Sequence, residues 1–100
     1  MPVGRVEDFE DGIVFGFDLD GHDVAVVSWR GRFFAFSNRC THWNVPLTEA
    51  YVTGRGGIVC PYHDSTFEIS TGRAIDGPAP DDLATYRVRV EDGVVLVDLA

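Results

Sequence analysis

The 100-residue sequence is short of several features that mark other classes of protein. It has only two cysteines, too few for the disulfide framework of a small secreted domain. No apolar run approaches the roughly 20 residues of a membrane helix, and the N-terminus lacks the apolar core of a signal peptide. No long segment repeats apolar residues at the helical period of about 3.6. These absences predict one cytoplasmic domain, residues 1–100, with reduced cysteines.

Positive charge is also scarce. Lys and Arg number 8 against 16 Asp and Glu, and the formal net charge is −8. Such an acidic surface disfavours binding to nucleic acid or to an anionic membrane. It keeps a protein soluble, and it can also steer the protein toward a basic patch on a protein partner. We therefore expect a monomer whose macromolecular partners are proteins, with no nucleic acid and no membrane among them.

Short β-forming runs between glycine-containing turns predict an all-β domain. Asp20–Asp23, Arg30-Gly31 and Asp92-Gly93 are typical of tight turns between strands. The predicted strands are Ile13–Leu19, Val24–Trp29, Arg32–Ser37, Ile58–Val59, Phe67–Ile69, Tyr86–Glu91 and Val94–Leu99. Tyr86–Val90 alternates apolar and polar residues, as expected of a strand with one wet face. Short strands at near-regular spacing favour an antiparallel β-sandwich or barrel.

The candidate metal ligands are concentrated in one quarter of the chain. Cys40 and His42 stand in C-T-H-W, Cys60 and His63 stand in C-P-Y-H, and 17 residues separate the two pairs. Thiolate and imidazole are the ligands that zinc and iron–sulfur centres use. The spacing therefore predicts a metal site held by two short loops. The third histidine, His22, lies in an acidic D-G-H-D turn, where we expect it to be exposed and without a chemical role.

Two kinds of metal centre compete for these four side chains. Structural zinc sites usually place two cysteines on one knuckle and two histidines on a helix. Here each pair mixes cysteine with histidine, no helical pattern carries the histidines, and C-x-H is short for a zinc knuckle. An iron–sulfur cluster with two cysteines on one iron and two histidines on the other suits mixed loops, because each loop then contacts both irons. A visible spectrum separates a colourless zinc protein from a red-brown iron–sulfur protein.

The sequence around the ligands resembles the Rieske [2Fe–2S] family. Upstream, G-R-F-F-A-F-S-N-R-C-T-H-W resembles the strand that enters the first cluster loop of the family. Downstream, F-E-I-S-T-G-R-A and G-P-A-P resemble its return strand and proline loop, and L-A-T-Y-R-V-R-V-E-D-G-V-V-L-V resembles its terminal hairpin. The resemblance implies one [2Fe–2S] cluster per chain with Cys40, His42, Cys60 and His63 as ligands. It also implies a β-sandwich or barrel with a two-loop cluster-binding subdomain at about 38–80.

Within that family, the chain is most similar to soluble ferredoxins of ring-hydroxylating oxygenase systems in aromatic hydrocarbon catabolism. These pass single electrons from a flavoprotein ferredoxin reductase to a terminal oxygenase and are not themselves enzymes. Respiratory Rieske proteins have a disulfide between the loops and a membrane anchor, and the sequence shows neither. Oxygenase large subunits need a mononuclear iron domain, which 100 residues with one spare histidine cannot supply. The alternative within the fold is the small Rieske-like subunit of nitrite reductases.

Two residues that follow the second ligand pair in the sequence are expected to affect the reduction potential of the cluster. The resemblance places Ser65 and Phe67 where high-potential relatives have a serine and a tyrosine that donate hydrogen bonds to sulfur. Such donors stabilise the added charge of a reduced cluster. Phe67 has no hydroxyl, and we expect it to pack in the core. We therefore expect a potential at the low end of the Rieske range, about −150 to 0 mV.

Other residues are expected beside the cluster. Trp43 and Tyr62 each adjoin a ligand, so we expect them to shield the cluster from water, with Trp43 also a candidate for the docking rim. Asp64 either points into water or sets a carboxylate near the cluster, which would lower the potential. Pro78 stiffens the proline loop by fixing φ. Ala50 stands where the family often has glycine, so we expect it to fit less easily and the loop to differ there.

Overall fold

The computed structural model describes residues 1–39, 46–60, 65–77 and 81–99. In these ranges the strands are β1 (Pro2–Arg5), β2 (Val14–Leu19), β3 (His22–Trp29), β4 (Arg32–Ser37), β5 (Tyr51–Val52), β6 (Gly57–Val59), β7 (Thr66–Glu68), β8 (Ala74–Asp76), β9 (Thr85–Glu91) and β10 (Val94–Asp98). All pairings between them are antiparallel. Two three-residue 3-10 turns, Val6–Asp8 and Leu47–Glu49, accompany them. The predicted all-β class is confirmed.

The strands form two sheets. A six-stranded sheet has the order β1-β10-β9-β4-β3-β2, and a four-stranded sheet has the order β5-β6-β7-β8. Leu19 on β2 and Val97 on β10 share one buried cluster, although β9, β4 and β3 lie between their strands. The larger sheet must therefore curl until its ends approach each other, and it forms a nearly closed barrel. No helix in the described ranges is long and apolar enough to cross a membrane.

All seven predicted strands are present, with their ends shifted by no more than two residues. The turn predicted at Asp20–Asp23 was too long, because only Asp20 and Gly21 turn and His22 already opens β3. Asp20 has φ 54° and Gly21 has φ 86°. Two successive positive φ values match the twist of the paired strands, so a two-residue turn suffices. The alternation predicted for β9 gives Arg87 and Arg89 an exposed face as expected, but the opposite face is not buried to its end, because the apolar Val90 is 49% exposed.

Strand β3 is buried on both faces. Val24 and Val26 belong to a cluster inside the barrel, here called the barrel core. Ala25 and Val27 belong to a second cluster, here called the joining core, which also contains residues of the smaller sheet. A strand with a core on each face is expected to be continuously apolar instead of alternating. The smaller sheet therefore packs against the outer face of β3, and the continuous apolar run V-A-V-V reflects this cover on both faces of the strand.

Gly72 fixes the return of the chain from the smaller sheet to β9. This buried residue has φ 76°, and its carbonyl accepts a hydrogen bond from the Leu83 N–H at 2.7 Å. A Cβ at Gly72 would lie 2.5 Å from the Leu83 carbonyl oxygen and 2.8 Å from Thr85 Cγ2. No rotamer change relieves a clash with backbone. Only glycine therefore fits at this crossing.

Replacing Gly72 by alanine should lower the free energy of unfolding by about 2–5 kcal/mol. The left-handed backbone contributes about 1–2 kcal/mol of that loss, and overpacking against Leu83 contributes about 1–3 kcal/mol. Urea denaturation measures the change. Gly12→Ala is the matched control, because Gly12 has φ 80° and no atom within 4 Å of the added Cβ. Equal losses in the two variants would contradict the steric part of this prediction.

Candidate metal centre

The second predicted ligand loop is closed at its base by backbone. Cys60 directly follows the last residue of β6, and Ser65 directly precedes β7. The Cys60 N–H donates to the Ser65 carbonyl at 2.8 Å, one step beyond the Val59–Thr66 pair of the two strands. The loop between them is therefore four residues, 61–64, on a paired hairpin. The strand register therefore fixes the backbone position of Cys60 at the end of the hairpin.

The side chain of Cys60 lies in the joining core. It is completely buried, together with Ile58 and Phe67 of the paired strands and Leu47 of the first loop's return. A buried cysteine is often only a small apolar residue. This one, however, ends a strand at the mouth of a short loop that carries a histidine three positions later. A thiolate held between core and loop suits the sulfur-ligated iron of a mixed cysteine and histidine cluster, so the placement of Cys60 fits a [2Fe–2S] group.

The first predicted ligand loop is closed by a side chain. Asn38 follows β4 and is 5% exposed. Its Oδ1 accepts a hydrogen bond from the Leu47 N–H at 2.9 Å, where the chain returns to the core. Its Nδ2 donates to Asp23 Oδ1 at 3.1 Å, and its own N–H donates to the Asp23 carbonyl at 2.9 Å. The side-chain amide of Asn38 thus joins the two ends of the loop by a hydrogen bond to Leu47.

Sequence reasoning placed Asn38 at the start of the cluster-binding subdomain, but it gave neither Asn38 nor Asp23 a role in holding the loop. The available signal was the S-N-R-C order, in which an asparagine stands between a strand and a ligand. Asn and Asp often bond nearby backbone at such exits. The partner Asp23 is 15 residues earlier in the chain and had no local signal.

Four further residues from the sequence analysis lie in the parts of the chain that the structure describes. Phe67 is fully buried beside Cys60 in the joining core, which confirms its predicted packing. Ser65 is fully buried as well. The expected misfit at Ala50 was wrong, because its φ of −70° and ψ of 156° are open to any residue. His22 is exposed as predicted, with its ring edge-on to Tyr86 at 6.4 Å between centroids.

The other predicted site residues lie outside the described ranges, and their roles stay predictions. They are the ligands and neighbours Cys40, His42, Trp43, Tyr62, His63, Asp64 and Pro78. Of the predicted ligands, the structure therefore describes Cys60 alone. The bases of both loops are described, and both are anchored to the joining core through Leu47 and Cys60.

In the described ranges, the shifted carboxylate pKa values belong to exposed ion pairs that are distant in sequence from these loop bases. The hydrogen bond from Arg89 lowers the pKa of Asp98, and the hydrogen bond from Arg5 lowers the pKa of Glu7. A carboxylate with a lowered folded pKa stabilises the fold above its unfolded pKa, and this stabilisation is lost as pH falls through the folded value. Both pairs are solvent-exposed, so the acid-dependent change in stability should be small.

A family model and a related protein agree with the fold and the candidate metal centre described above. The family model described as "Rieske [2Fe-2S] domain" matches residues 1–87. The ferredoxin component of the naphthalene 1,2-dioxygenase system of Pseudomonas putida is 33% identical over 95 residues, which are 95% of this chain and 90% of that protein.

Solved structures agree with the fold. The Sphingomonas yanoikuyae B1 ferredoxin superposes with a TM-score of 0.91 and 34% identity, over 100% of this chain and 98% of that one. A chain in the complex of reduced oxygenase and oxidised ferredoxin in carbazole 1,9a-dioxygenase superposes with a TM-score of 0.91 and 27% identity, over 98% and 100%. With the family model matching most of its length, this chain belongs to the Rieske [2Fe–2S] domain family.

Proposed function

We propose that this chain is a one-electron carrier that passes electrons from a flavoprotein ferredoxin reductase to a terminal oxygenase. The observation that carries the proposal is the similarity, over nearly the whole chain, to ferredoxin components of dioxygenase systems. The carbazole 1,9a-dioxygenase structure adds that a relative with this fold forms a complex with its oxygenase. These relatives favour the ferredoxin over the small subunit of a nitrite reductase and over a structural zinc module.

The ligands that we propose are Cys40, His42, Cys60 and His63. They lie in a cluster-binding subdomain of about 38–80 within a single domain, 1–100. The burial of Cys60 and the closed bases of both loops support this assignment. When bound, the cluster supplies a one-electron redox couple, and two imidazoles in place of two thiolates raise its potential above that of four-cysteine ferredoxins.

The described residues have two tasks in such a carrier. The joining core keeps water from the Cys60 side of the site, because Ile58, Phe67 and Leu47 are all fully buried around it. The paired strands and loop bases hold the site rigid, so that little reorganisation accompanies each electron. The net charge of −8 favours partners with basic docking surfaces. We propose that the protein does this as a cytoplasmic monomer.

Electron transfer tests the proposal. Purified protein should be red-brown, contain inorganic sulfide and give a rhombic EPR signal after dithionite. Its midpoint potential by cyclic voltammetry should be about −150 to 0 mV. NADH should reduce it only with a flavoprotein ferredoxin reductase present, and a ring-hydroxylating oxygenase with substrate should reoxidise it. Anaerobically reconstituted protein without sulfide would refute the carrier, and stable co-purification with a sirohaem enzyme would favour the nitrite reductase subunit.

A further inference from the structure

Asp23 contacts the two residues that lead into the first ligand loop, although it lies on β3 and 17 residues before Cys40. Its Oδ1 accepts a hydrogen bond from Asn38 Nδ2 at 3.1 Å. Its Oδ2 lies 2.8 Å from Arg39 Nη2, in a half-exposed ion pair. Its backbone carbonyl accepts the Asn38 N–H at 2.9 Å. One residue of the barrel thus holds both the main chain and the side chains at the start of the loop.

Asn38 extends this anchor to the far end of the loop. Its Oδ1 accepts the N–H of Leu47, whose side chain is completely buried in the joining core. The orientation of the amide follows from its partners, because a backbone N–H must meet the oxygen and a carboxylate must meet the nitrogen. The buried side chain of Asn38 therefore connects the start of the loop to its return at Leu47, and Asp23 holds that side chain in place.

Two residues of the neighbouring strand β2 bear on the contact between Asp23 and Asn38. Asp23 is paired directly with Asp18 on β2, and like charges in that position destabilise a sheet. Strand pairing alone does not favour a carboxylate there, whereas the contacts with Asn38 and Arg39 do. Gly16 on β2 leaves room for the loop base, since a Cβ there would lie 3.0 Å from Asn38 Nδ2 and 2.7 Å from Thr48 Cγ2.

We propose that Asp23 and Asn38 are positioning residues that hold the first ligand loop, and through it Cys40 and His42, against the barrel. The inference rests on the proposed function, which makes those two residues ligands. The two loops then differ in their support. The base of the second loop has a backbone hydrogen bond between Cys60 and Ser65, whereas the base of the first loop is spanned by the side chain of Asn38, which Asp23 holds.

Cluster retention in four variants of the holoprotein tests the proposal. Asn38→Ala removes the acceptor for the Leu47 N–H, and Asp23→Ala removes the acceptor for the Asn38 amide. In both, visible absorbance should disappear about tenfold faster under a chelator, which corresponds to the lower end of the loss in metal affinity that follows removal of a ligand's outer partner. Asp23→Asn keeps an oxygen acceptor and should retain the cluster better than Asp23→Ala. Asp20→Asn is the control, because it removes the same charge from an exposed residue in the turn of the same hairpin, with a left-handed backbone that asparagine also adopts, and it should not change the rate.

The EPR spectrum separates positioning from general stabilisation. A displaced first loop should shift or broaden the rhombic signal in Asn38→Ala and Asp23→Ala, while a loss of stability alone would leave its g values unchanged. If neither the EPR signal nor the rate of loss under a chelator differs from that of Asp20→Asn, or if only the unfolding midpoint falls, the proposal is wrong.

A conservative substitution covers the case in which the alanine variants do not fold. Asn38→Asp keeps the acceptor for Leu47 but turns an oxygen toward Asp23, so it should also lose the cluster faster than wild type. Retention at the wild-type rate would overturn the inference. Wild-type protein that holds no cluster would overturn the proposed function instead.

Discussion

Replacing Cys60 by serine should yield a protein without its cluster. The substitution changes a single atom in the joining core, where Cys60 is completely buried, but it removes the thiolate that an iron–sulfur centre needs. The backbone hydrogen bond from residue 60 to Ser65 is unaffected, so the loop base should stay closed. We expect iron and sulfide content, the rhombic EPR signal and electron transfer to an oxygenase to fall more than about 100-fold, beyond the effect of losing an outer partner.

His22→Gln is the matched control for this loss. It removes the third histidine of the chain, which is exposed at the start of β3 and has no predicted ligand role. Its iron and sulfide content should equal that of the wild type. Cys60→Ser protein with full iron and sulfide would show that Cys60 is not a ligand, whereas equal losses in both variants would point to a general defect in folding.

The sequence predicted the strands whose signal is local. The hairpins around Asp20-Gly21, Arg30-Gly31 and Asp92-Gly93 were readable because both turn residues adopt positive φ between runs of β-forming residues. The strands that were missed, β1, β5 and β8, are two to four residues long and lie at the edges of their sheets. Such strands are too short to show a period of two, and they form because a neighbour offers unpaired backbone groups.

For the candidate site, the sequence predicted a set of ligands but not the residues that support their loops. Cysteine and histidine are rare enough in this chain that their spacing alone marked the two loops. The contact between Asp23 and Asn38 depends on the register of β3 and β4, in which Val24 is paired with Ser37. A slip of one residue would reverse the faces of the strand and separate the two side chains. Register is set by packing across the whole sheet, so no local pattern around Cys40 reveals it.

The burial of β3 on both faces connects the prediction of the strands with the support of the two loops. Its apolar run V-A-V-V was read as a strand, and a continuous run of this kind indicates cover on both faces. The cover on the outer face is the joining core, which receives Leu47 from the first loop and Cys60 from the second. Both loop bases thus share one apolar cluster, although their hydrogen bonds are separate. Damage to that cluster should therefore loosen both loops together.

Truncating Phe67 to alanine is the direct test of that coupling. Phe67 lies on β7, is completely buried in the joining core and faces Ile58 across the strand pair. Its loss should lower the free energy of unfolding by about 3–5 kcal/mol, a large part of the 5–15 kcal/mol that is usual for a domain. The urea midpoint should fall by about 2 M at ordinary m-values. Visible absorbance should also disappear faster below the unfolding transition, because both loop bases lose packing.

Tyr51→Ala is the control for that test, because it truncates a comparable ring on the same sheet where the side chain is 54% exposed. Surface changes of this kind usually alter stability by no more than about 0.5 kcal/mol. Phe67→Ala losses within about 1 kcal/mol of the control would mean that the joining core can collapse around the cavity. A large loss of stability with unchanged cluster retention would instead show that the hydrogen bonds at Asn38 and Cys60 hold the loops without help from the core beneath them.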